Sequence, residues 1–233
     1  MTSESRYSNW QEKKQFKVPE SLTQTVYHYL QNEIIEGRLE EGKHLVPQEL
    51  GRQLGVSKSP VREALCLLEM EELVKSKPRT GFFVADIHFE DIEEIYPIRA
   101  ALNSLLMKTI IENGYSTDFI PYLQEIVMNM DKAVTEKNIE AYFHHNVQFY
   151  RYILSCCTNT RLKMMVKQLG NKVLRFRFLS MSQPGQAQKS LQQHHLLLKA
   201  LQNRDVEGTR QVCEQIIERA LGVLREYLSR GKT

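Results

Sequence analysis

The chain has 233 residues, of which 42% are hydrophobic and 25% are charged, and its formal net charge is +3. This composition is typical of a globular protein with enough residues for two modest domains. No apolar run is long enough to span a bilayer, and the polar N-terminus lacks a secretory hydrophobic segment, so we expect a cytoplasmic protein without a membrane partner.

The first 36 residues divide into a polar stretch and an amphipathic one. Residues 1–20 are mixed in charge, and we expect a flexible tail there. In residues 21–36, apolar side chains recur at helical spacing up to Gly37, a residue that often ends a helix. This stretch therefore predicts an amphipathic helix that supports the motif after it.

Residues 50–68 predict two short helices joined by a tight turn. Leu50 and Leu54 lie on one face of the first helix, and Gly55 suits the left-handed conformation that ends it. Ser57 is a favoured N-cap for the second helix, where apolar residues again recur at helical spacing. The polar residues near the start of the second helix lie off that apolar stripe and are Lys58, Ser59 and Arg62.

The next stretch predicts a β-hairpin with a basic tip. Two β-prone runs in residues 73–84 flank a turn that contains Arg79, Thr80 and Gly81. The helical motif alone could be an ordinary helical hairpin with a solvated basic face. A basic hairpin directly after it is typical of a winged helix–turn–helix, in which a helix enters the major groove and the wing tip the minor groove. Since basic and acidic residues balance over residues 1–85, DNA binding is inferred from their placement.

Residues 22–85 resemble the winged-helix domain of the GntR family of bacterial regulators. The match includes the runs Leu54-Gly55-Val56-Ser57, Pro60-Val61-Arg62-Glu63-Ala64-Leu65 and Gly81-x-Phe83-Val84. The resemblance implies sequence-specific DNA binding, with Ser57 as helix cap and phosphate contact. The implied DNA-binding residues are Ser57, Lys58, Ser59, Arg62, Arg79, Thr80 and Gly81. Lys58 stands where the family usually has Arg, so the family's usual operator sequence is not implied.

Helical periodicity continues from Asp91 to the C-terminus. The predicted helices span 91–113, 117–137, 139–156, 159–178, 186–203 and 205–229. Short loops between them indicate an antiparallel bundle of six to seven helices. The expected fold is therefore mainly α, with a tail at 1–20, a winged helix–turn–helix domain at 21–86 and a helical domain at 87–233.

This second half resembles the ligand-binding FCD domain of the FadR subgroup of GntR regulators. The matching residues are Ile95-Tyr96, Arg99-Ala100, Leu102, Phe149, Asn159, Leu162, His194, Ala200-Leu201 and Arg204-Asp205. The resemblance implies a domain that binds an effector and forms a homodimer. A homodimer in turn implies a palindromic operator.

Many members of that subgroup hold a divalent metal with one Asp and three His residues. The corresponding positions here are Asn146, Tyr150, His194 and Ile216, so three of the four ligands are absent. Because zinc sites need three or four N, S or carboxylate ligands, we expect no metal cofactor. The alternative is a metal-dependent regulator in which His144 or His145 restores the site in a shifted register, although adjacent helical residues point about 100° apart.

The same positions are polar groups in an otherwise apolar bundle. Asn146, Tyr150 and His194 either bond to one another and fix the packing, or line an effector pocket, which the resemblance favours. Arg99 is the proposed anchor for an anionic effector, with a structural salt bridge as the alternative interpretation. Arg175 and Arg177 are the other candidates for that role.

The chain contains no nucleophile elbow, phosphate loop or paired acid motif, so an enzyme is not expected. The main hypothesis is a homodimeric transcription regulator, more specifically a repressor, that a small organic acid switches by binding its two states unequally. The alternatives are the metal-dependent regulator and an effector-free DNA-binding activator or architectural protein.

Overall fold

The structure is a computed structural model that describes residues 21–86 and 88–230, so the predicted tail at 1–20 lies outside the described residues. The predicted mainly α fold, with a small sheet for the wing, is confirmed. The elements in chain order are α1 (Leu22–Ile35), β1 (His44–Leu45), α2 (Pro47–Leu54), α3 (Lys58–Met70), β2 (Val74–Lys77), β3 (Gly81–Val84), α4 (Phe89–Asn113), α5 (Phe119–Thr135), α6 (Ile139–Ser155), α7 (Thr160–Lys172), α8 (Leu174–Ser182), α9 (Gln186–Gln202) and α10 (Val206–Arg230).

The N-terminal unit packs α1, α2 and α3 against a three-stranded antiparallel sheet of order β1-β3-β2. A capping box begins α1, since Ser21 Oγ accepts from the Gln24 amide at 3.2 Å and the Gln24 side chain accepts from the Ser21 amide. The inner faces of α1 and α3 bury one apolar cluster. Its fully buried members include Leu30, Ile34, Val61, Ala64, Leu65, Leu68 and Val84.

Two glycines determine how α2 meets the turn before α3. Gly55 ends α2 with φ 69°, the left-handed conformation expected from the sequence. Gly51 is buried inside α2, and a Cβ at this position would lie 2.8 Å from the Val56 carbonyl oxygen. The turn therefore packs directly on the backbone of α2, which holds α3 at a defined angle.

The helices α4 to α10 form the second unit. Its largest apolar cluster involves α5, α6 and α9 and includes Phe119, Leu123, Phe149 and Leu197. A smaller cluster between α4, α8 and α10 includes Ile92, Tyr96, Val173 and Leu224. No helix in the described part of the chain is long and apolar enough to cross a membrane.

One predicted helix of this unit is in fact two. The sequence predicts a continuous helix over 159–178, whereas α7 ends at Lys172 and α8 begins at Leu174. Val173 lies between them with φ −100° and ψ 3°, and its side chain is fully buried in the smaller cluster. Helical periodicity continues across this break, and no Pro or Gly marks it in the sequence. The break is therefore a result of tertiary packing around Val173.

The α7–α8 junction contacts the N-terminal unit at the end of α3. Asn171 Nδ2 donates to Glu71 Oε1 at 2.6 Å, and Lys172 forms an ion pair with Glu72. Glu71 is the C-cap residue of α3. The end of the helix that carries Lys58 and Arg62 is thus attached to the bundle.

A second contact from the same junction reaches the wing. Arg175 Nη1 donates to the Ala85 carbonyl at 3.1 Å, directly after β3, and Arg175 Nη2 lies 3.4 Å from Glu41 Oε1. The pKa of Arg175 is lowered, because the effect of burial is larger than the opposite effect of Glu41. The junction therefore contacts both the helix and the hairpin of the N-terminal unit.

Candidate nucleic-acid interface and a charged cavity in the bundle

The start of α3 is shaped by backbone geometry and not by a side-chain cap. Ser57 has the extended backbone of an N-cap residue (φ −68°, ψ 165°), but its hydroxyl makes no capping hydrogen bond with the described residues. The N-cap side chain normally bonds to the amide of the second or third helical residue. The third here is Pro60, which has no amide hydrogen. Ser57 is thus the N-cap residue of α3, as the sequence predicts, but its side chain makes no capping hydrogen bond within the described part of the chain and the residue is exposed at the helix start.

The outer face of α3 presents the predicted DNA contacts to solvent. Lys58, Ser59 and Arg62 are all exposed, while the opposite face of the helix is fully buried. Glu63 lies on the α1 side, where it accepts from Thr23 Oγ1 at 2.8 Å and from Ser59 Oγ at 3.4 Å. The leading end of the helix thus carries two cations that point away from the core.

The wing tip is a strained turn held by a histidine. Arg79 is exposed at the tip and has φ 62°, and Gly81 has φ 111°. His44 on β1 is 2.9 Å from the Thr80 carbonyl and stacks on Phe83 with ring centroids 4.6 Å apart. The sequence contains no signal for this support, because His44 is 36 positions from Thr80.

The cations of the hairpin differ in their surroundings. Lys75 forms an ion pair with Asp86 and thereby lowers the pKa of that carboxyl group. Lys77 lies over the Phe83 ring, 4.8 Å from its centroid. Arg79 is at the exposed tip. Basic charge therefore concentrates towards the tip of the wing, on the hairpin that follows α3.

A small cavity of about 30 Å³ lies between α4, α6, α8 and α10. Three of the four predicted effector-binding residues line it: Arg99, Asn146 and Tyr150. The fourth, His194, lies behind Asn146. The polar groups that line the cavity are those of Arg99, Asn103, Asn146, Tyr150, Arg177, Ser180 and Arg219.

A chain of hydrogen bonds runs behind the cavity wall. Arg177 Nη2 donates to Asn146 Oδ1, and Asn146 Nδ2 donates to His194 Nε2 at 2.9 Å. His194 Nδ1 lies 2.7 Å from the Ser190 carbonyl, which can only accept. The proton of the neutral imidazole is therefore on Nδ1, and Nε2 is free to accept from the amide.

Burial shifts the pKa values of the residues at the two ends of these hydrogen bonds, His194 and Arg177. Burial lowers the pKa of His194 from 6.5 to about 4, with nearby Arg177 and Arg219 contributing in the same direction. Burial also lowers the pKa of Arg177 to about 10, with repulsion from Arg99 as the next cause. At neutral pH His194 is thus uncharged and Arg177 is charged.

The three arginines that line the cavity all contact neutral groups. Arg99 lies over the Tyr96 ring and Arg177 over the Tyr150 ring, both with the guanidinium carbon 5.2 Å from the ring centroid. Arg219 has its own contacts, to two glutamine oxygens at 2.6 and 3.0 Å. The sequence offered Arg177 only as an alternative to Arg99, because a single unbroken helix does not indicate which arginine of residues 174–178 faces inwards.

The two histidines that would restore a metal site in a shifted register lie away from the cavity. His144 is exposed with its Nε2 3.9 Å from Glu36 of the N-terminal unit, and His145 pairs with Gln148 at 3.3 Å. Neither of them lines the cavity, whereas Ile216 does. The described residues contain no group of three His, Cys, Asp or Glu side chains placed to hold a metal ion.

Comparison with protein families assigns both halves of the chain. Residues 22–84 match the family described as bacterial regulatory proteins, gntR family, and residues 94–219 match the FCD domain. The chain belongs to the GntR family. Its DNA-binding helix–turn–helix therefore precedes an FCD domain, as the two resemblances in the sequence implied.

The relatives of this GntR-family chain are regulators. It is 28% identical to the HTH-type transcriptional regulator McbR of Escherichia coli over 213 residues, which cover 90% of this chain and 96% of McbR. It is 25% identical to the gluconate operon transcriptional repressor of Bacillus licheniformis over 181 residues, 76% of this chain and 74% of that repressor. The solved structure of E. coli McbR/YncC superposes with a TM-score of 0.78 at 27% identity, over 89% of this chain and 99% of that one.

These matches establish the general function. The protein is a DNA-binding transcription regulator of the GntR family with an FCD domain, and it is not an enzyme, as its sequence predicted.

Proposed function

We propose that this regulator is a cytoplasmic homodimeric repressor that binds a palindromic operator and responds to a small organic acid in the bundle cavity. The observation that carries the DNA-binding part is the pair of exposed cations, Lys58 and Arg62, at the leading end of α3. The exposed Arg79 is at the tip of the hairpin that follows. This is the charge distribution that a winged helix needs for two adjacent grooves.

The proposed contacts follow from exposure and side-chain chemistry. Lys58, Ser59 and Arg62 contact base edges in the major groove, and the exposed Ser57 hydroxyl contacts a phosphate. Arg79 enters the minor groove, where the narrow width attracts a guanidinium, and the backbone of Thr80 and Gly81 approaches the sugar–phosphate chain. Each subunit of the homodimer occupies one half-site.

The effector part is supported by the position of the cavity. Arg99, Asn146 and Tyr150 line it, and His194 holds Asn146 in place. A carboxylate in the cavity would find guanidinium and amide donors, so no metal cofactor is needed for binding. The wall helix α8 also carries Arg175, which contacts Ala85. Ligand binding changes the position of the N-terminal unit only if the protein binds the ligand more tightly in one arrangement of its two units than in the other.

The assignment as a repressor is supported by relatives with repressor names, including the gluconate operon transcriptional repressor. Repression requires tight operator binding in one state of the protein. The proposed contacts are compatible with an organic acid that weakens operator binding and also with one that strengthens it.

The DNA contacts are tested with the double variant Lys58→Ala/Arg62→Ala on an operator selected from random duplexes by the full-length protein. We expect at least a roughly thirtyfold loss of affinity, because removing a side chain that binds a base edge costs about 1–3 kcal/mol and the variant removes two. The slope of log K against log salt should also fall by about 0.9 for each phosphate interaction removed.

The matched control is Arg161→Ala/Lys189→Ala, which removes the same charge from exposed positions on α7 and α9. It should bind as the unmodified protein does, and both variants should keep their helical circular dichroism. Equal affinity of the Lys58→Ala/Arg62→Ala variant and the control would refute this assignment of the interface.

A further inference from the structure

The cavity in the bundle has an unbalanced charge. Three guanidinium groups line it, those of Arg99, Arg177 and Arg219, and among the described residues around it there is no Asp or Glu. Removing a charge from water costs several kcal/mol unless an opposite charge and hydrogen bonds compensate. The cavity is therefore a strongly anion-attracting environment.

The contacts of these arginines leave donors available. Each guanidinium has five N–H donors. Arg177 uses one on Asn146 Oδ1, and Arg219 uses two on glutamine oxygens. The tyrosine rings next to Arg99 and Arg177 stabilise the cations without neutralising them. These contacts offset part of the desolvation cost but provide no negative charge.

A buried hydroxyl in the same cavity wall points independently to a ligand. Ser180 on α8 is only 2% exposed, and its Oγ has no hydrogen-bond partner among the described residues. A buried polar group without a partner costs about 1–3 kcal/mol, so such groups are rare in folded proteins. An acceptor atom inside the cavity would satisfy it.

We propose that the cavity binds a small dicarboxylate, with Arg99 and Arg177 each contacting a carboxylate group and Ser180 donating to one of them. This inference rests on the proposed effector function of the same cavity and specifies its ligand. A monocarboxylate would balance one of the three cations, whereas a dicarboxylate balances two. Arg177, bonded to Asn146, places a positive charge in the cavity wall, so the proposed ligand contacts include no metal.

The size of the cavity connects this ligand to regulation. A volume of about 30 Å³ for water centres is room for roughly two water molecules. Even malonate is larger than this space, so we expect binding to displace a wall helix. The proposed moving helix is α8, which carries Arg177 and Ser180. Since Arg175 on α8 contacts Ala85 after the wing, the movement would reach the N-terminal unit.

The proposal is tested on the full-length protein after dialysis against EDTA, without DNA, by calorimetry and thermal shift. The probes are malonate, succinate and glutarate, each compared at pH 7 with the monocarboxylate of equal chain length. We expect the best dicarboxylate to bind at least tenfold more tightly than its monocarboxylate. Equal affinities, no binding by any dicarboxylate, or binding only after a divalent metal is added would overturn the proposal.

Three variants identify the groups that hold the ligand. Arg99→Met and Arg177→Met should each remove the preference for two carboxylates, while Arg161→Met, at an exposed position on α7, should not. Asn146→Asp places a carboxylate beside Arg177 and should weaken dicarboxylate binding at least tenfold with every arginine present. If Arg177→Met does not fold, the Asn146→Asp variant still tests the contact at Arg177. Unchanged binding by Arg99→Met and Asn146→Asp would refute the assigned contacts.

The two proposals can fail separately. The variant Lys58→Ala/Arg62→Ala should bind the dicarboxylate as the unmodified protein does. Arg99→Met should bind the selected operator normally when no ligand is present. Loss of dicarboxylate binding therefore says nothing against DNA recognition, and loss of DNA binding says nothing against the cavity.

Discussion

His194 illustrates how a single buried residue depends on its surroundings. Its Nδ1–H donates to the Ser190 carbonyl, its Nε2 accepts from Asn146, and Arg177 and Arg219 lie close enough to disfavour a proton. The imidazole is therefore built into the bundle in its neutral form. Protonation would break the bond with the Asn146 amide and add a fourth cation to the region.

We expect this histidine to make the bundle less stable in acid. Its folded pKa is about 4 and its ordinary value is 6.5, so between these values the unfolded chain binds a proton that the folded chain does not. The stability contribution is complete above pH 6.5 and is lost as the pH falls towards 4, by at most about 1.4 kcal/mol per pH unit. Urea unfolding of His194→Gln should show a shallower dependence over this window.

The control for this measurement is His195→Gln on the same helix. His195 is exposed and pairs with Asp131 at 3.0 Å. Its removal should leave most of the acid dependence in place. If both variants follow the unmodified protein between pH 6.5 and 4, the buried imidazole is not the group responsible.

Two helical glycines should respond to alanine in opposite directions. At Gly51 the new Cβ would lie 2.8 Å from the Val56 carbonyl oxygen, whereas at Gly170 on α7 nothing lies within 4 Å. We expect Gly51→Ala to lower the free energy of unfolding by about 1–3 kcal/mol, since the turn must shift. Gly170→Ala should raise it by about 0.5–1 kcal/mol through helix propensity. Chemical denaturation measures both, and equal signs would contradict the close packing of the turn on α2.

At the scale of elements, the α7–α8 junction connects the bundle cavity with two parts of the N-terminal unit. Within seven positions, residues 171–177 contact the end of α3, the end of β3 and the cavity. A displacement of α8 at the cavity would therefore act on the helix and the wing together.

The double variant Asn171→Ala/Arg175→Met tests this connection without requiring a ligand. We expect faster backbone hydrogen exchange at the end of α3 and after β3, because each loses a side-chain hydrogen bond to the bundle. Exchange around α5 and α9 should not change. The exposed Arg161→Met is the control, and unchanged exchange at Glu71–Leu73 and Ala85 in the double variant would show that the junction does not hold the N-terminal unit.

At the scale of the whole molecule, α4 and α7 pack against each other and expose apolar side chains. Ile98 and Leu105 on α4 are 50% and 47% exposed, and Met164 and Met165 on α7 are 56% and 53% exposed. Apolar surface of this kind often marks an interface between protein chains. We propose this face as the contact of the homodimer.

Sedimentation of Ile98→Asp/Leu105→Asp should show a monomer at concentrations where the unmodified protein is a dimer. Its affinity for a full palindrome should fall to that for a single half-site, because the second half-site no longer adds to binding. Met128→Asp/Leu196→Asp changes two other exposed apolar positions, on α5 and α9, and should leave the dimer intact. A dimer that survives the first pair of changes would place the interface elsewhere.

Several features could be read from the sequence because they depend on residues close together in the chain. The apolar spacing predicts each long helix, Gly55 predicts the end of α2, and the β-prone runs predict the wing. The exposure of Lys58 and Arg62 follows from the same periodicity, since they lie off the apolar stripe. The ordered matches to the GntR family and the FCD domain identified the class of protein for the same reason.

Other features depend on packing between distant segments, which no local pattern records. The break at Val173 arises where a buried side chain meets α4 and α10, and the sequence predicts one continuous helix there. Arg177, four residues after that break, lines the cavity. Asn146 and His194 are 48 positions apart and meet only in the folded bundle. The amino-acid sequence by itself thus determined the helices, the wing and the family, while tertiary packing decided which charges are buried together and which parts of the chain they connect.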